Sequence, residues 1–201
     1  MRRKNIKEDI LVAALTLFSE KGYDGVGVDQ IAESVGIKGP SLYNHFKGKE
    51  DLFNSLIEYL EKYYSEHFNS ASKINKCPDT VDELKEMTLS QLEFTMHDER
   101  IIKTRKILSK EQFRNEKLAK VASTYFFDGI KNLYCAVFTQ MVKNGIIKEY
   151  DPTTLAIEYS TPITVLIHIC DREPEREEES INYIKEHIDH FIEMYKKSSS
   201  L

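Results

Sequence analysis

Apolar residues recur at intervals of three and four along almost the whole chain, and runs that alternate apolar with polar residues are nearly absent. That period commits the backbone to helices that each bury one side, and so to an all-α fold. With 201 residues the chain can build a sizeable core, either as one large domain or as a small one joined to a larger.

The first helix carries Ile6, Ile10, Ala13, Ala14, Leu17 and Phe18 as one stripe and is stopped by Gly22. Two short helices are predicted next, over 28–35 and 40–46. A fourth starts near Lys49 and buries Phe53, Leu56, Ile57, Leu60, Tyr63, Tyr64 and Phe68. The polar stretch 69–79 reads as a loop. Thr80 with Glu83 has capping-box spacing and opens a helix to about His97. A turn-rich or helical segment covers 99–113, and a long helix runs over 116–144, closed by Gly145. Asp151 and Pro152 fit an N-cap and first-turn proline for a helix reaching about Ile169, with Pro162 expected to kink it. The last helix, 174–197, has Ile181, Ile184, Ile188, Phe191, Ile192 and Tyr195 on one side, giving about nine helices in all.

Charged residues make up 30% and apolar residues 41%, with 8 Gly and 5 Pro, which is the composition of a soluble globular chain rather than a disordered one. No stretch approaches the roughly 20 apolar residues of a membrane span, and no apolar segment follows the basic N-terminus, so a cytoplasmic protein without a membrane partner is expected. Cys77, Cys135 and Cys170 are odd in number and far apart, which suits reduced structural thiols. The net charge of −5 is unevenly spread. Residues 1–50 hold eight Lys or Arg against seven Asp or Glu, with Arg2, Arg3, Lys4 and Lys7 at the start and Lys38, Lys47 and Lys49 further on. The acidic run 171–179 reads as a solvated loop.

Ile31, Ala32, Val35, Gly36, Ile37 and Leu42 place apolar residues on the inner sides of two very short helices, with a small alanine at the crossing and a glycine at the turn. This is a helix-turn-helix pattern, although an ordinary helical hairpin shares the spacing. Such a pair must rest on the first helix, through Leu17, Phe18 and Tyr23, and on the fourth, through Leu52 and Phe53. The outer side shows Ser41, Tyr43, Asn44 and His45, groups that reach base edges or phosphates, with Lys47 and Lys49 beside them. Lys49 opposes the helix dipole, yet suits a phosphate held by lysine and dipole together. On spacing alone, Tyr43 also fits a half-buried packing residue and His45 a helix-end histidine.

The longer string decides between these. GYDGVGVDQIAESVG (22–36) followed by IKGPSLYNHFKGKEDLF (37–53) closely resembles the N-terminal signature of TetR-family repressors. The resemblance implies a three-helix DNA-binding domain over 1–47 and a larger helical ligand-binding and dimerisation domain over 48–201. It implies that Tyr43, His45 and Lys49 contact the DNA backbone, that Ser41 and Asn44 face the groove, and that Phe46 packs inside. Two positions depart from the family. Gly27 stands where a capping Ser or Thr is usual, and Lys38 stands where a capping Ser often opens the recognition helix, so Gly39 and Pro40 take over that start and Lys38 is free to reach DNA.

The resemblance further implies a homodimer through the last two helices, double-stranded operator DNA as partner, and a small-molecule effector. Of the aromatic residues in the middle of the chain, Tyr63, Phe94, His97, Phe113, Tyr125 and Tyr134 are the candidates for an apolar or aromatic ligand. No HExxH, GxSxG, Walker or dinucleotide motif is present, so neither an enzyme nor a cofactor is expected. The alternative is a helical metal-binding or interaction protein without DNA binding, the metal falling on Glu186, His190 and Glu193 with His187 nearby.

Overall fold

The computed structural model describes residues 5–71, 77–114 and 116–197, the side chains of residues 67–71 and of Lys117 excepted. Arg2, Arg3 and Lys4, the side chain of Phe68 and residues 72–76 of the loop expected over 69–79 lie outside the described residues. Among the described residues the helices are α1 (Ile6–Lys21), α2 (Val28–Ser34), α3 (Gly39–Leu42), α4 (Lys49–Ala71), α5 (Val81–His97) and α6 (Glu99–Glu111). They continue with α7 (Glu116–Ser123), α8 (Gly129–Lys143), α9 (Pro152–Arg172) and α10 (Glu177–Tyr195). A π-helical turn, Thr124–Asp128, joins α7 to α8 without leaving helical geometry. The described chain is therefore all-α, in nine continuous helices. None of the described helices is long and apolar enough to cross a membrane.

The described residues form two compact units. One takes in the chain up to His67 together with His97–Ala119, the other Phe68–Met96 together with the chain from Lys120 onward. In the first unit α1 packs against both α2 and α6. Its buried face is accordingly wider than a single stripe: Leu11 and Leu15 are buried beside Ile10, Ala14 and Phe18, whereas Ala13 and Leu17 are only half-buried. Phe18, Tyr23 and Phe53 form an aromatic triangle with centroids 4.8–5.5 Å apart, which sets α1, the turn after it and α4 together. Three side chains of α6 hold α1. Lys103 Nζ donates to Thr16 Oγ1 at 2.9 Å, and Lys110 Nζ to the carbonyl of Ser19 at 2.7 Å. The buried carboxylate of Glu111 accepts from the Tyr23 amide at 3.0 Å.

In the second unit α9 packs against α8 and α10. Its centre is Tyr134, Phe138, Tyr159 and Phe191, whose rings lie 4.7–6.0 Å apart. Asp151 caps α9, accepting from the Thr154 amide at 2.7 Å. At the start of α5, Thr80 Oγ1 accepts from the Glu83 amide while Glu83 reaches back to the amide of Asp79, one residue earlier than a standard capping box. Cys77, Cys135 and Cys170 are free thiols.

Four expectations change. α3 ends at Leu42, and Tyr43–His45 continue as turn, because Phe46 must swing inward to be buried. The helix expected over 116–144 carries the π turn, in which the Gly129 amide bonds to the Thr124 carbonyl five residues back. α9 runs on past Ile169 to Arg172, with Pro162 inside it as expected. The acidic run is not a loop. It ends α9, forms a 3-10 turn at Pro174–Arg176 and begins α10, where Glu177, Glu178 and Glu179 suit the positive end of the dipole and Arg176 bonds both Glu173 and Glu179.

Candidate nucleic-acid interface

The three-helix segment is built to show polar groups outward from a buried base. Ile31, Ala32, Leu42 and Phe46 are each 2% exposed or less, so both short helices are pinned from beneath. The chain reverses between them at Gly36, whose φ of +75° favours glycine, and the amide of Ile37 returns to the carbonyl of Ala32 at 3.0 Å. With Leu42 and Phe46 fixed, Tyr43 and Asn44 must face outward. Tyr43 is 56% exposed, Asn44, Lys38, Pro40 and Lys47 are exposed, and Ser41, His45, Gly39 and Lys49 are partly so. All nine positions expected to meet DNA therefore lie on or beside one short stretch of surface chain, Lys38–Lys49.

One of the two departures from the family pattern has a visible substitute, and the other has an acidic neighbour. At Gly27 there is no hydroxyl to cap α2, but the Gln30 side chain accepts from the Gly27 amide at 2.9 Å. At α3 the Asp29 carboxylate sits against the start of the helix, so close that a Cβ on Gly39 would fall 2.1 Å from Asp29 Oδ1. Glycine at 39 is what allows an acidic side chain to lie there. Asp29 carries no signal of this in the sequence, because its neighbour Gly39 is ten residues away.

Lys49 opens α4 and lies 4.3 Å from the centroid of Tyr23, so the ring face offsets the repulsion of a cation at a helix N-terminus. Burial, and then the charges of Glu50 and Asp24, push the Tyr23 phenol above its ordinary range. Asp51, also unremarked in the sequence, accepts from the Lys47 amide at 2.8 Å and so fixes the backbone that carries Lys47. Its position in the first turn of a helix was the available signal. Lys7 reaches the ring of Phe46 at 5.4 Å.

The residues expected to meet a ligand are divided between the units. Tyr63, His97 and Phe113 belong to the first; Phe94, Tyr125 and Tyr134 to the second. Phe113 is 88% exposed, and Tyr134 is buried. The Tyr134 hydroxyl donates to Gln91 Oε1 at 3.1 Å and lies 3.2 Å from Thr88 Oγ1, which is also bonded to the Tyr159 hydroxyl at 2.8 Å. This buried polar cluster was not foreseen, since its members come from three helices. Burial pushes the Tyr134 phenol up to about 12. Glu186, His190 and Glu193 are exposed on α10, His187 bonds to the carbonyl of Tyr159, and no metal-binding group of three His, Cys, Asp or Glu occurs among the described residues.

Residues 10–56 match the model of the bacterial regulatory proteins, tetR family. The chain is 30% identical over 154 residues to the biofilm operon icaADBC HTH-type negative transcriptional regulator IcaR of Staphylococcus epidermidis, covering 60% of this chain and 83% of that protein. Its match to IcaR of Staphylococcus aureus is 49% identical but spans 58 residues, 31% of that protein. Among solved structures, a TetR-family regulator from Mesorhizobium loti superposes with a TM-score of 0.78 at 19% identity, over 98% of this chain and all of that one. SmeT in complex with triclosan, from Stenotrophomonas maltophilia, gives 0.75 at 20% identity, over 96% and 92%. Together with the outward-facing segment Lys38–Lys49, these matches assign the chain: it belongs to the TetR family of bacterial regulatory proteins.

Proposed function

We propose that this chain is a transcriptional repressor that binds a palindromic operator as a homodimer and leaves it when a small apolar or aromatic ligand binds. The observation that carries the reading is the buried pair Leu42 and Phe46, which forces Tyr43 and Asn44 outward beside Lys38 and Lys47. In this reading Lys38, Tyr43, His45, Lys47 and Lys49 serve phosphates, Ser41 and Asn44 face base edges, and Gly39 with Pro40 starts the recognition helix. Residues 1–47 carry DNA binding, and 48–201 carry ligand and dimer contacts.

A dimer is supported by apolar side chains left exposed on the last two helices, Ile157 and Val165 on α9 and Tyr183 and Met194 on α10. Two copies would present recognition helices about 34 Å apart, one helical turn of DNA. Ligand control is supported by the triclosan held in the similar fold of SmeT. A coupling of about 1–3 kcal/mol weakens DNA binding about 5- to 150-fold.

The test is fluorescence anisotropy of the purified chain on DNA from upstream of its own coding region, over a salt series. A saturable complex whose stoichiometry is two chains per site, and whose affinity falls steeply with salt, is expected. Equal binding to unrelated DNA at every salt concentration would refute operator recognition.

A further inference from the structure

Away from the recognition segment and from the second unit's core, the first unit encloses a cleft of about 550 Å3 that the reading above leaves unused. That volume lies within the range of small-molecule sites. Its wall is built from α1, α4 and α6. Tyr59 and Tyr63, one turn apart on α4, stand with ring planes 28° from parallel, and Leu11 supplies an apolar surface from α1. Each phenol is tied to a carboxylate, Tyr59 to Glu8 at 3.2 Å and Tyr63 to Asp98 at 2.7 Å. The rings are thereby fixed rather than free to rotate.

Arg100, in the first turn of α6, is held against both rings, with its guanidinium carbon 4.6 Å from the Tyr63 centroid and 5.6 Å from that of Tyr59. One of its amino groups donates to the Tyr59 hydroxyl. The guanidinium is thus committed to two ring faces and one hydroxyl, which leaves most of its five donors for another acceptor. A guanidinium held beside aromatic rings is restrained in position for a two-pronged grip on a carboxylate or phosphate. Lys62, on the same wall, is 74% exposed and only loosely paired with Glu66 at 3.8 Å, a pair that contributes about 0–1 kcal/mol. The two cations that face the cleft, Arg100 and Lys62, stand against Glu8 and Glu66 in its lining, and Glu8 is already engaged by Tyr59, while the ammonium of Lys7 lies over the Phe46 ring.

We propose that this cleft is a second small-molecule site, for an organic anion that carries an aromatic ring, its carboxylate or phosphate on Arg100 and Lys62 and its ring against Tyr59 and Leu11. The site does not depend on the effector reading for the second unit. Because Leu11 and Glu8 belong to α1, against which α2 packs, occupancy bears directly on the body that carries the recognition helix.

Isothermal titration of the full-length protein tests it with four probes: benzoate, phenyl phosphate, inorganic phosphate and benzyl alcohol. Benzoate or phenyl phosphate should bind saturably, one per chain, and about tenfold or more tighter than benzyl alcohol, which lacks the charge, or inorganic phosphate, which lacks the ring. Arg100→Gln should weaken that binding about tenfold. Lys62→Glu, at an exposed position where the melting curve stays unchanged, should do the same and guards against misfolding of the Arg100 variant. Absence of saturable binding by either aromatic anion would overturn the site. So would unchanged affinity in Lys62→Glu, which would place any bound anion elsewhere, and equal affinity for benzyl alcohol or inorganic phosphate.

Discussion

The recognition segment leaves Tyr43 56% exposed, whereas the centre of the second unit closes completely over Tyr134 and Tyr159, and the two regions put the same side chain to opposite uses. Around Tyr134 every polar partner comes from the chain itself: Thr88, Gln91 and Tyr159 answer one another, and the aromatic rings exclude water. Around Tyr43 the chain supplies anchors beneath, Leu42 and Phe46, and leaves the polar groups above them to be answered by something else. A hydroxyl whose partners are internal stabilises a fold; one held outward by buried neighbours is left to be answered by water or by a partner.

Substitutions can break this contrast. The largest effect belongs to Phe138→Ala, which removes a fully buried ring between Tyr134, Tyr159 and Phe191 and should cost about 3–5 kcal/mol in urea denaturation. Tyr134→Phe keeps the ring but strands Gln91 Oε1, for a loss of about 1–3 kcal/mol. It also carries a pH signature. Burial raises the folded phenol from 10 to about 12, so its stabilisation is fully present below pH 10 and is lost as pH rises towards 12. The variant should show a shallower alkaline decline across that window when unfolding is followed by circular dichroism. Tyr63 is likewise raised to about 12, by burial and then by its bond to Asp98, and remains in the variant as a residual slope. The smallest change in stability is expected on the recognition side. Tyr43→Ala combined with Lys47→Ala should shift stability by under about 0.5 kcal/mol while weakening operator affinity about tenfold and reducing its salt slope by about one. A melting loss like that of Tyr134→Phe would make Tyr43 a packing residue and erase the contrast.

The first unit was the more legible of the two. Ala32 at the crossing, Gly36 at the turn and the Phe18, Tyr23 and Phe53 contacts all follow from spacing within 53 residues, because local pattern and tertiary contact coincide there. The second unit hid more. Nothing in the stretch Thr124–Asp128 marks a π turn, and Tyr134 looks the same in sequence whether it lines a pocket or fills a core; the difference lies in Thr88 and Tyr159, both far away along the chain. Charge misled at 171–179, where Arg176 and the start of α10 make the acidic run compatible with helix. Phe113, a ligand candidate by residue type, stands 88% exposed. The Arg100 cleft escaped because it joins residues from three separate helices of one unit.

The grip of α6 on α1 limits what can be transplanted. Lys110 closes the C-terminal carbonyls of α1, and Glu111 holds the Tyr23 amide so near Gly22 that a Cβ there would lie 3.2 Å from its carboxylate. Residues 1–47 are therefore not a portable module. A chimaera that lends this chain's first 47 residues to a relative would also have to inherit Lys103, Lys110 and Glu111, and an isolated fragment would enter solution with the carbonyls of Ser19 and Glu20 and the amide of Tyr23 stripped of their α6 partners.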